Sequence, residues 1–147
     1  MTTRATTPSL MPALVVILAG VSAALHVGKL PPAITALQAA LGMSLLQAGF
    51  LLSLIQLAGM TVGVALGAVA DGLGLRRSML AGLAVLSLAS VLGGFATSVP
   101  ALMALRACEG FGFLLVVLPA PGLLRRLVPA QRLNKVLGLW GAYMPLA

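Results

Sequence analysis

Acidic residues are almost missing from this chain of 147 residues: Asp71 and Glu109 stand against nine basic residues and one histidine, His26. One cysteine, Cys108, excludes an internal disulfide. One His, one Cys and two carboxylates do not assemble a nucleophile, a metal site or a phosphate cradle, so neither an enzyme nor a bound metal or cofactor is expected. Charge is scarce overall, at 7% of residues, where a soluble domain carries roughly a quarter. Hydrophobic residues make up 61% and the mean hydropathy is +1.14. A soluble core of this length cannot hide so much apolar surface, and the chain is read as an all-α membrane protein with the lipid bilayer as its solvent. The net charge of +7 raises nucleic acid as a partner, but a single Trp and a single Tyr, both near the C-terminus, leave no contact face for it. Nucleic acid is therefore excluded.

A spanning helix needs about 20 largely apolar residues. Four stretches qualify, at about 11–27, 45–70, 78–96 and 101–124, and a fifth begins near Leu133 and is cut off at Ala147. Arg4 and the small residues Ala19, Gly20, Ser22 and Ala23 raise a cleaved leader, but the apolar run is long and no small-x-small site precedes a polar start. The first stretch is expected to stay as a helix. Gly28, Lys29, Pro31 and Pro32 predict its end, since proline disfavours helix at the preceding residue and removes a donor. Ser44 is placed to cap the second helix. Only Thr97 to Pro100 join the third and fourth, which forces an antiparallel hairpin, and Cys108 reads as a small buried residue of the fourth.

Basic residues gather in alternate loops. Arg4, Arg76, Arg77, Arg125, Arg126, Arg132 and Lys135 fall on one side, Lys29 alone on the other, and Arg106 within the fourth helix. The positive-inside rule then places the N-terminus in the cytoplasm. In the second helix Gly59, Gly63 and Gly67 recur at four-residue spacing, with Asp71 next in the same register. Bared of side chains, that face predicts a tight helix seam, which could also slide or open. Asp71 wants a cation or a helix N-terminus nearby, and Arg76, Arg77 and the third helix offer both. Gly72 and Gly74 are expected to ease the reversal of the chain.

The pattern Gly67-x-x-x-Asp71-x-x-Gly74-x-Arg76-Arg77, set between the second and third helices, resembles the signature loop of the major facilitator superfamily. Leu102, Arg106, Glu109, Gly110 and Gly112 are similar to that family's Leu-x-x-x-Arg-x-x-Gln-Gly-x-Gly stretch, and Pro129, Arg132 and Gly138 to its approach to the fifth helix. The resemblance runs from about Met11 to the last residue. It implies part of an N-terminal six-helix bundle, in a secondary transporter that moves a small solute across the inner membrane by alternating access, coupled to protons. The loop it implies to be a conformational latch departs from the family at two places: Gly72 and Leu75 stand where basic residues are usual. The surviving pair is Asp71 with Arg76 or Arg77.

Arg106 and Glu109, three apart, share one face of the fourth helix. They read either as a structural ion pair or as a site on a pathway, since ionisable groups inside a membrane mark such sites. The resemblance implies proton coupling or anion holding for Arg106, whose guanidinium keeps its proton; Glu109, where the family has Gln, is by its chemistry the titratable partner. His26 is expected at the headgroup interface or, with Lys29, at a cavity mouth. The segment His26 to Ile34 resembles the first-helix end of cyanate-type anion permeases, which implies a small anion as solute. Since the chain ends about 15 residues into a helix that needs some 20, it is expected to be a fragment lacking a C-terminal transporter half. The competing expectation is an autonomous small membrane protein that oligomerises or binds a partner through its glycine face.

Overall fold

The computed structural model describes residues 10–145, so Arg4 and the final residues of the expected fifth helix lie outside the described residues. Among the described residues there are seven helices: α1 (Met11–Gly28), α2 (Leu30–Leu41), α3 (Leu45–Leu73), α4 (Leu75–Gly93), α5 (Val99–Val117), α6 (Ala120–Leu127) and α7 (Ala130–Gly141). Four apolar runs among them are long enough to cross a membrane: Met11–Leu41, Leu45–Leu73, Leu75–Gly93 and Val99–Leu127. The chain is a multi-pass, all-helical membrane protein.

α1 ends at Gly28, in line with the sequence reading, but a second helix that the sequence did not suggest follows at once in the same apolar run. Pro31 and Pro32 fall in the first turn of α2, where α2 itself needs no donor from them. Lys29 keeps helical angles and donates its backbone N–H to Leu25 O at 2.9 Å, so the chain carries straight on with a break at one residue. The reversal comes at Gly42, whose φ of +63° suits glycine. Ser44 then caps α3 as expected, in a reciprocal pair: Gln47 N donates to Ser44 Oγ at 3.2 Å and Ser44 N to Gln47 Oε1 at 2.9 Å. The α3 to α4 turn rests on Gly74 alone, at φ +88°; Gly72 is still helical.

The hairpin of α4 and α5 is the tightest contact, and two glycines make it so. A Cβ on Gly82 would lie 2.6 Å from Gly112 O, and one on Gly112 would lie 2.9 Å from Gly82 O. Ser78, fully buried in α4, donates to Leu115 O at 3.3 Å across the same seam. The expected seam on α3 is different. Gly59 meets only Leu114, at 3.8 Å, and Gly63 and Gly67 face open space. That glycine face is therefore open here rather than packed, and neighbouring Val64 is 94% exposed. Cys108 is likewise exposed, not buried.

Two apolar clusters fill the bundle. The larger joins α1, α3, α4, α5, α6 and α7 through residues such as Ile17, Ile55, Leu86, Val116, Leu124 and Trp140. The smaller sits at the end where α2 turns into α3 and α4 into α5, and is built from Leu30, Met43, Ala48, Leu51 and Leu102. The fifth expected span starts earlier and ends sooner than the sequence suggested, at Ala130 and Gly141. Its Trp140 stacks on Tyr143 with ring centres 4.6 Å apart and lies against Gly20 of α1.

Candidate functional site

The break between α1 and α2 leaves backbone carbonyls without helical partners. Pro31 has no N–H to give to Val27 O four residues back. Arg106 of α5 reaches this break: Nη2 donates to Val27 O at 3.4 Å and Nη1 to the neighbouring His26 O at 2.7 Å. A guanidinium fixed by two carbonyls cannot be neutralised by them, and it needs a carboxylate. Glu109 provides it one turn along the same helix, with Oε2 accepting from Arg106 Nη1 at 2.6 Å. Both residues are almost wholly buried, at 3% and 4% exposure.

Glu109 has a second cation. Lys29, at the break itself, donates Nζ to Glu109 Oε1 at 2.5 Å and to Ser90 Oγ of α4 at 2.5 Å. The carboxylate thus ties α5 to the break, one oxygen to each cation, and Lys29 carries the link on to α4. These are the ion pairs among the described residues, and the centre carries a net charge of +1. The α3 helix, packed against α5, brings no charged side chain to it: its one ionisable residue, Asp71, lies in the last turn, far from Glu109 along the bundle. Glu109 is ten residues into α5, about 15 Å at 1.5 Å per residue, which is mid-depth in a hydrocarbon layer of about 30 Å.

A cavity of about 370 Å³ opens on this centre. Lys29, Ser90, Arg106 and Glu109 line its charged part, and apolar residues including Leu30, Leu37, Leu51 and Leu102 line the rest. Arg106 keeps one donor in reserve, because its buried Nε–H has no acceptor among the described residues.

The sequence-predicted residues divide sharply. Arg106 and Glu109 pair as their spacing implied, and Gly110 lets α3 close on α5: a Cβ there would lie 3.1 Å from Ala58 Cβ. Lys29 lines the cavity with its side chain part-exposed, and it also reaches Glu109. The His26 ring turns away to donate Nδ1 to Ser22 O at 2.8 Å, so His26 serves the site through its carbonyl alone. Asp71, Arg76 and Arg77 are exposed, and Asp71 forms no ion pair with either arginine among the described residues. Ser90 was missed, since a lone serine on an apolar helix gives no signal. The two prolines carried the signal for the break but were read as a helix stop.

Comparison with known proteins adds a family to this geometry. The model for the Major Facilitator Superfamily matches residues 13–147. No curated protein and no solved structure matches the chain.

Proposed function

The chain belongs to the major facilitator superfamily, whose members are membrane transporters, and we propose from that premise that Lys29, Arg106 and Glu109 couple a small anion to a proton. The observation that carries this reading is a single buried carboxylate shared between a fixed cation and a movable one. Arg106 is held by two carbonyls as well as by Glu109. Lys29 sits on a flexible stem, with its side chain 40% exposed to the cavity side.

An entering anion competes with Glu109 Oε1 for the Lys29 ammonium. Once Lys29 turns to the anion, a carboxylate in a setting poor in water keeps only one of its two cations, and a proton on Oε1 replaces the lost one. The centre then holds +1 when empty and +1 again with anion and proton both bound. Equal charge in both states lets the loaded and the empty forms rearrange against similar electrostatic barriers, which is the requirement for one-to-one symport. Alternating access needs a second bundle around the cavity, and the open Gly63 and Gly67 face of α3 permits a helix of that bundle to approach closely. Asp71, Arg76 and Arg77, at one end of α3 and α4, are the latch to that bundle. The bias of basic residues toward alternate loops supports an inner-membrane transporter with a cytoplasmic N-terminus.

The test is proton uptake on binding. Purified protein in nanodiscs, in weakly buffered solution with an indicator dye, is titrated with formate. One proton should be taken up per anion bound, and Glu109→Gln should bind without uptake. Anion binding by the unaltered protein with no proton uptake refutes the coupling.

A further inference from the structure

The cavity has a direction. Leu37 lies eight residues beyond Lys29 along α2, Leu102 seven residues before Glu109 along α5, and Gly94 four residues after Ser90 on α4. All three steps run toward the same end of the bundle, where α2 turns into α3 and α4 into α5. At 1.5 Å per residue, the apolar part extends about 10 Å from the charged centre. Its walls are the smaller apolar cluster, with Leu30, Leu51 and Leu102 buried and Leu37 packed on them.

One end thus offers a net charge of +1, the Lys29 ammonium and a buried guanidinium with an unused Nε–H. The rest offers little but hydrocarbon. A bare inorganic anion would fill the first part and leave the second wet. A sugar would place hydroxyls against leucines with nothing to bond them, and a second carboxylate at the far end would be buried among the same leucines without a partner. We infer that the solute is a monocarboxylate with a short unbranched apolar tail, its head on Lys29 and Arg106 and its tail along Leu37, Leu51 and Leu102. This rests on the anion reading above and adds the tail.

Calorimetric titration of the protein in nanodiscs, with empty nanodiscs subtracted, separates the two. The probes are nitrate, formate, propanoate, butanoate and pentanoate, with butanamide as the uncharged control. Affinity should rise about fourfold per added methylene from formate to pentanoate, butanamide should not bind, and Lys29→Met, checked for intact helix content by circular dichroism, should lose the saturable phase. Equal affinity for nitrate, formate and pentanoate overturns the tail but leaves the anion centre standing. Saturable pentanoate binding that survives Lys29→Met places the ligand elsewhere and overturns the inference. Failure of every anion to bind folded protein overturns both readings.

Discussion

If Lys29 is the exchangeable partner of Glu109, it must hold that carboxylate more weakly than Arg106 does, although the two N to O distances are nearly equal at 2.5 and 2.6 Å. Burial decides between them. The Arg106 and Glu109 side chains are 3% and 5% exposed, and removing one member of such a pair costs about 3 to 5 kcal/mol because the other is left buried and uncompensated. Arg106→Met also strands the His26 and Val27 carbonyls, adding about 1 to 3 kcal/mol. Lys29 is 40% exposed on its side chain, so water screens its attraction and can replace Glu109; its pairing should contribute about 1 kcal/mol. Two double-mutant cycles measure this, Arg106→Met with Glu109→Gln and Lys29→Met with Glu109→Gln. The stability of each variant would be followed by circular dichroism through SDS unfolding from mixed micelles. The coupling energy should be at least twice as large for the arginine pair. A Lys29 coupling equal to or above that of Arg106 would show lysine to be the anchored partner, and the exchange of Glu109 for an anion would fail.

The same unfolding assay tests the packing. Gly82→Val drives a side chain into the Gly112 carbonyl, where neither backbone can yield, and should cost about 3 kcal/mol or more. Gly67→Ala enters open space and should be neutral or stabilise the helix by up to about 1 kcal/mol; a large loss there would mean that α3 packs differently. A periplasm-active reporter fused after Ser98, in the α4 to α5 turn, should be active, and a reporter active only in the cytoplasm would reverse the orientation.

Much of the architecture was legible because lipid imposes simple demands. A helix must satisfy its own backbone and present apolar side chains, so hydropathy marked where the long apolar runs lie, and Ser44 marked the start of α3. Spacing alone put Arg106 beside Glu109, since residues three apart share a helix face. The glycines of α3 misled because a bare face shows only what a helix permits, not what lies against it; Gly82 and Gly112, which close the α4 to α5 seam, belong to no four-residue glycine repeat.

The sequence by itself determined the class of protein, its long apolar runs and the shared helix face of Arg106 and Glu109, all of which follow from local periodicity and from the cost of charge in hydrocarbon. Only the tertiary structure decided that a second helix opens at Pro31 and Pro32. The Val27 carbonyl that Pro31 leaves without a donor, and the His26 carbonyl beside it, meet Arg106 from a helix about 80 residues away, and the same break sets Lys29 on the other oxygen of Glu109. Proline's missing donor is written in the sequence; which distant group replaces it depends on how the helices pack.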